Sequence, residues 1–305
     1  MALRGPAPRV FTLSLRSQPE RGGPVRDAVD DRDGLERDPT WRHVLVLVHG
    51  FNNTESDANA AYDGYVDLLR PRLEQSRVAP DAVAKLHWPG NEAIGPLSAC
   101  DVAGYPVDVE RALQAVHPLA VFLWRLVSAS AGRRRISLVG HSLGCRLITE
   151  AMCRLGRTTP YGPPLGVVML MAAAVPVELA KAVAPLSLAA SRTGKLLKAY
   201  STTDWVLLLA FPAGQSLACA AGYEREAYVE AIGRHGDPSG FGELFCRSGN
   251  GHGDYWTDEY AAAILLFTID ATLRPLPPPV PLRPHDLAPA APIAGRKLAR
   301  RDLPE

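Results

Sequence analysis

The sequence predicts an α/β protein built on a mostly parallel sheet, and three observations carry that prediction. Val44-Leu45-Val46-Leu47-Val48 is an unbroken apolar run, as a strand shows when both of its faces are covered. Runs of this kind alternate several times with segments whose apolar residues recur at helical spacing, which implies right-handed crossovers. Finally, Ile136 to Val139 passes through Gly140-His141-Ser142-Leu143-Gly144 directly into a helical pattern of Leu143, Leu147, Ile148, Ala151, Met152 and Leu155.

The bulk composition narrows the function classes. The 305 residues suffice for one large domain or two small ones with a substantial core. Lys and Arg total 33 against 32 for Asp and Glu, a formal charge of +1, so no overall field recruits nucleic acid or an anionic membrane. Cys100, Cys145, Cys153, Cys219 and Cys246 are odd in number and dispersed, without the Cys-x-x-Cys pairing of zinc or redox sites. Reduced thiols and a cytoplasmic location are expected, with no signal peptide, no stable membrane insertion, no metal and no cofactor.

Taken in order, residues 1–40 are expected to hold one early antiparallel strand, at 10–16, and then a charged connection. Residues 41–273 form the main domain. After the strand at 44–48 comes His49-Gly50-Phe51-Asn52-Asn53, then capping groups Thr54 to Asp57 and a helix to about Leu73. A strand at 82–88, the Gly/Pro-rich loop Pro89 to Pro106 and a helix from about Val107 to Ser128 lead to the strand before Ser142. Beyond it lie a strand at 167–171, a helix at 177–190, and a strand at 196–200 that delivers Ser201-Thr202-Thr203-Asp204 to the carboxyl edge of the sheet. Residues 211–242 resist assignment. A short strand near Leu244 to Arg247 precedes His252, and a last helix covers about Asp258 to Thr272. The proline-rich residues 274–305 read as a disordered tail.

The chemistry gathers at Ser142. A sharp strand-to-helix turn leaves its hydroxyl exposed among unpaired N–H groups of the helix's first turn, and Gly140 and Gly144 stand where a Cβ would collide. A serine hydroxyl needs a base, and an imidazole suits that role at neutral pH. His252, between the last strand and the last helix, is the candidate and His235 its rival. His49 is expected to shape its loop and His141 to pack beside the turn, while His43, His87, His117 and His285 read as structural or surface residues. Asp204 is the candidate acid behind the imidazole, although an Asp after Thr-Thr is also an ordinary helix cap; Glu178 competes, and Asp254 is too near His252 in sequence to reach round it.

The chain order Ser142, Asp204, His252, with His49-Gly50 upstream, is that of the α/β-hydrolase fold. Val48 to Thr54, His87-Trp88-Pro89, Gly140 to Gly144 and His252-Gly253-Asp254-Tyr255-Trp256 resemble the motifs of a largely uncharacterised bacterial α/β-hydrolase family, over about residues 44 to 270. The resemblance implies a serine hydrolase for a small-molecule ester or thioester, with the oxyanion held by the backbone N–H of Phe51 and that of Leu143. A hydrolase-like binding or scaffolding protein without turnover, and an acyltransferase using the same triad, are the alternatives. Substrate selection is expected from the loops Pro89 to Pro106 and Phe211 to Gly242; Cys100 and Cys145 read as buried small residues.

Overall fold

The computed structural model describes residues 7–20, 22–73, 80–91, 102–128, 134–158, 165–180, 193–236 and 242–272. Most of the Pro89 to Pro106 loop with Cys100, the later part of the helix expected at 177–190, residues 237–241 and the whole tail with His285 lie outside the described residues.

Eight strands form one sheet: β1 (Arg9–Arg16), β2 (Val25–Asp31), β3 (His43–Val48), β4 (Ala82–His87), β5 (Arg135–His141), β6 (Leu165–Met171), β7 (Thr193–Tyr200) and β8 (Glu243–Cys246). Their order across the sheet is β2-β1-β4-β3-β5-β6-β7-β8, and every neighbouring pair is parallel except β1 with β2. All six residues of β3 and all six of β4 are buried, which accounts for the uninterrupted apolar run of β3.

Helices α1 (Glu55–Leu73), α2 (Tyr105–Ser128), α3 (Leu143–Thr158), α4 (Phe211–Ala220), the single turn α5 (Ile232–His235) and α6 (Glu259–Thr272) complete the layers. α1 packs with α6 and α2 with α3. At the start of α1 the expected cap is formed reciprocally. The Asp57 N–H donates to Thr54 Oγ1 (3.0 Å), and the Thr54 N–H donates to Asp57 Oδ2 (3.2 Å). Sheet, covering helices and the sharp turn after β5 make an α/β-hydrolase fold, as the sequence predicts.

Three expectations are corrected. The strand at 9–16 is not antiparallel to the sheet: it runs parallel to β4, from Arg9 opposite Ala82 to Ser14 opposite His87. The antiparallel member is β2, inside the segment expected to be a charged connection; it pairs Asp31 opposite Leu13 and Asp30 opposite Ser14 and becomes the sheet's edge. Where a helix was expected from 177, the described part is one 3₁₀ turn, Val177–Ala180, whose Val177 N–H is drawn to the Glu230 carbonyl.

Candidate active site

Ser142 stands between β5 and α3 with φ at 52°, a region a non-glycine residue enters only when its surroundings over-determine it. They do so here. The Ser142 N–H donates to the Met171 carbonyl (3.0 Å), and its own carbonyl accepts from the Cys145 N–H (3.0 Å) and the Ala174 N–H (3.2 Å). A Cβ at Gly140 would lie 2.7 Å from Ile148 Cδ1, and one at Gly144 would lie 2.2 Å from the His49 carbonyl oxygen and 2.8 Å from that of Val48. The obstacle at Gly144 is backbone, so it cannot swing aside.

Gly144→Ala is therefore expected to push the His49-Gly50-Phe51 loop off the elbow. The expected outcome is a loss of thermal stability on the order of 1–3 kcal/mol. Melting curves on the purified variant would read it; an unchanged melting temperature would mean that the loop yields to the added methyl without cost.

The structure brings the three expected side chains into one hydrogen-bonded series. His252 Nε2 lies 2.8 Å from Ser142 Oγ, and His252 Nδ1 lies 2.8 Å from Asp204 Oδ2. A carboxylate can only accept, so the imidazole proton sits on Nδ1 and Nε2 is left to accept from the serine hydroxyl. Asp204 is fully buried, and its second oxygen accepts the Leu207 N–H (2.9 Å). It is thus at once the helix cap its sequence context suggests and the partner of His252.

The loop bearing His252 is tied to the loop bearing Asp204 and to α6. Ser201 Oγ donates to the Asn250 carbonyl (2.8 Å), and the Gly249 N–H donates to Thr203 Oγ1 (3.2 Å). Asn250 Nδ2 donates to Asp258 Oδ2 (2.8 Å), and Arg247 pairs side-on with the same carboxylate, Nε to Oδ2 and Nη2 to Oδ1 (2.9 Å). Burial alone would raise the Asp258 carboxyl; the bonds from Arg247, the Ala261 N–H and Asn250 outweigh it and hold the group below the usual carboxylate value.

His141 does more than pack beside the turn. Its Nε2 lies 2.6 Å from the His252 carbonyl oxygen, which can only accept, so His141 is the donor and pins the backbone that carries the second imidazole. Burial, and then the neighbouring His252, lower its pKa to about 3, so it stays neutral.

The His49-to-Asn53 loop is braced from all sides. The His49 N–H donates to Tyr62 Oη (2.6 Å), whose own proton goes to the Leu86 carbonyl (2.7 Å). The Trp88 N–H donates to His49 Nε2 (3.2 Å), the Trp88 indole N–H to the His49 carbonyl (2.9 Å), and His49 Nδ1 to the Gly50 carbonyl (2.9 Å). Asn53 Nδ2 donates to the Phe51 carbonyl (2.8 Å), and buried Arg16 reaches the Asn53 carbonyl and Asn91 Oδ1. A Cβ at Gly50 would lie 2.7 Å from Ser142 Cβ, which measures how closely the loop meets the elbow. Among the described residues, no acceptor takes the N–H of Phe51 or that of Leu143.

Ser142 and His252 open into a cavity of about 370 Å³ walled by Phe51, Tyr105, Leu207, Phe211 and Trp256. Tyr105 stands edge-on between Phe51 (5.7 Å between ring centroids) and Phe211 (6.2 Å). Part of each expected selectivity loop contributes, through Tyr105 and Phe211, but Val206 and Leu207 lie just before the second and were not anticipated.

The rivals stand elsewhere. His235 is partly exposed and faces Glu230 Oε1 at 3.5 Å, His43 bonds Ser137 Oγ at 2.9 Å, and Glu178 sits on the 3₁₀ turn after β6. Asp254 accepts the Gly251 N–H (2.7 Å) and serves the turn, not the ring of His252. Cys145 is buried, with its Sγ 3.4 Å from the Met171 carbonyl, and burial pushes its thiol up. Among the described residues, no helix is long and apolar enough to cross a membrane.

A family profile described as protein of unknown function (DUF726) matches residues 75–231. Solved structures similar to the chain include SOBER1 of Arabidopsis thaliana, at 16% identity over 76% of this chain and 99% of that one, with a TM-score of 0.42. Acyl-protein thioesterase 2 of Zea mays is 15% identical over 76% and 94% of the two chains, TM-score 0.39. A cold-adapted esterase from an Arctic intertidal metagenomic library is 16% identical over 81% and 87%, TM-score 0.44. No curated protein matches the chain.

Proposed function

The chain belongs to the DUF726 family of proteins of unknown function, and from the chemistry of its own pocket we propose that it is a serine hydrolase cleaving a carboxylic ester or thioester. Ser142 Oγ attacks the carbonyl carbon while His252 Nε2 takes its proton, and Asp204 holds the Nδ1 proton and stabilises the imidazolium that forms. The N–H groups of Leu143 and Phe51 receive the developing oxyanion. Collapse expels the alcohol or thiol, which takes the proton back from His252 and leaves an acyl-Ser142. Water, deprotonated by the same imidazole, then releases the acid and restores the hydroxyl.

The observation that carries this reading is the pair of 2.8 Å contacts linking Ser142, His252 and Asp204 on the wall of an apolar cavity. The N–H groups of Phe51 and Leu143, which no acceptor takes among the described residues, support it as donors for the oxyanion.

Labelling by a fluorophosphonate probe tests it. Wild type is expected to label and to hydrolyse p-nitrophenyl acetate, while Ser142→Ala and His252→Ala should do neither, with turnover down by at least about 1,000-fold. Folded wild type that takes no label, or a Ser142→Ala variant with undiminished ester turnover, would overturn the proposal.

A further inference from the structure

Residues 205–223, from Trp205 to Tyr223, contain no charged side chain. They build the wide helical turn Val206–Ala210 and α4, and this segment has two apolar sides. Inward, Leu207 and Phe211 are buried and line the cavity. Outward, Trp205 is 68% exposed, Leu209 64% and Leu217 46%. Of the ten large apolar side chains exposed among the described residues, five fall within the uncharged stretch, at Trp205, Val206, Leu209, Leu217 and Tyr223, so the exposure is concentrated on this segment. Val206 belongs to both sides, being 43% exposed and also a cavity residue, so the exposed apolar segment reaches the mouth of the site.

We propose that this face docks on the hydrocarbon side of a lipid–water interface and that the site draws its ester substrate from that phase. The inference rests on the hydrolase reading and names its substrate class: esters of apolar acyl chains held in a lipid aggregate. Three features favour a lipid surface over another occupant. The polar groups of the face are already used internally: Ser216 Oγ donates to the Pro212 carbonyl (2.8 Å) and accepts the Tyr228 N–H (3.1 Å), and Gln215 is buried beneath. Between Val206 and Ala221 hydrocarbon therefore meets no polar side chain left without a partner, and the exposed charges Arg225 and Glu226 lie beyond the stretch, where headgroups and water would meet them. A protein seated there would also cover the mouth at Val206, while a lipid surface covers it and supplies substrate through it. The third feature is Trp205 at the end of the uncharged stretch, a residue type that settles at membrane interfaces.

The face is held in a fixed position. Arg146 on α3 pairs with Glu150 (3.1 Å) and with Glu224 (3.0 Å), the first charged residue after the stretch, and so anchors its far end. With a formal charge of only +1 on the chain, attachment should depend on apolar contact and not on lipid charge.

Tributyrin tests this with the full chain, because one compound can be offered as monomers or as droplets. Wild-type rate is expected to rise about fivefold or more above the monomer hyperbola once droplets form, and the protein to sediment with phosphatidylcholine vesicles equally at about 0.1 and about 0.5 M salt. A Leu209→Ser/Leu217→Ser variant should lose both behaviours while its kcat/KM for monomeric p-nitrophenyl butyrate stays within about twofold. A wild-type rate that follows one hyperbola through the solubility limit would overturn the proposal, as would vesicle binding that salt abolishes. A dimer that the double variant turns into a monomer would also overturn it, by placing a second copy on the face. Failure of the hydrolase reading is seen separately, as absent fluorophosphonate labelling and absent turnover of monomeric ester, since sedimentation is scored without any reaction.

Discussion

An Asp204→Asn variant is expected to fold normally and to lose about 10⁴-fold in kcat on a soluble ester, with little change in KM. The reason lies in how the two carboxylate oxygens are used. Oδ1 accepts the Leu207 N–H and Oδ2 accepts from His252 Nδ1. An asparagine that keeps its carbonyl on the Leu207 N–H must turn its NH₂ toward the imidazole. That amide is a donor, so Nδ1 gives up its proton, Nε2 acquires one, and the face turned to Ser142 can no longer accept. The cavity wall is untouched, because Asp204 is not part of it. Glu178→Gln, the corresponding change at the rival acid, should leave kcat within about twofold. Steady-state kinetics on both variants, with melting curves to establish folding, separate the two acids; a deficit confined to Glu178→Gln would move the assignment there.

What was legible in the sequence is what depends on short-range pattern. The buried strands announce themselves because both faces are covered, and the elbow because its close approaches admit only glycine. Ser142, Asp204 and His252 could be picked out because each follows a readable strand and the sheet delivers all three ends to one edge. β2 was hidden: an edge strand with much of its surface in solvent needs few apolar residues, and VRDAVDD reads as a charged loop until β1 lies beside it. The direction of β1 was equally hidden, since side-chain alternation is the same for parallel and antiparallel neighbours.

The segment after Asp204 escaped because Pro212 and Gly214 argue against a helix, and packing of Phe211 and Gly214 onto Tyr105 overrides them. One signal was present, namely nineteen residues without a charge. The bond from His141 to the His252 carbonyl spans 111 positions, and no local pattern announces it. Arg16 is a similar case, a charge at the end of a strand whose burial becomes evident only with Asn53 and Asn91 in place.

Acid should weaken the fold in a way traceable to three histidines. Burial lowers the pKa of His141 to about 3 and that of His87 to about 4, and holds His49 well below the ordinary value. At His87 the cause is plain: both ring nitrogens are buried and neither has a hydrogen-bond partner, so an imidazolium there would face the interior bare. The sign follows from proton counting. Below about pH 6.5 the unfolded chain binds protons at these sites while the native chain does not, so stability is complete above that pH. It is lost as pH falls toward the folded values, and none of the three losses continues beyond them. At pH 4.5 the loss is on the order of 2–3 kcal/mol each for His141 and His87 relative to pH 7.5. Urea unfolding between pH 4.5 and 7.5 stays above the range where most carboxylates titrate. Between about pH 6 and pH 4.5, His87→Leu should lower the slope of stability against pH by about 1 kcal/mol per pH unit, up to one proton fewer taken up on unfolding, and it should leave the slope above pH 7 unchanged. An unchanged slope would mean that the folded protein protonates His87 as readily as the unfolded chain does, and that another group sets the acid limit.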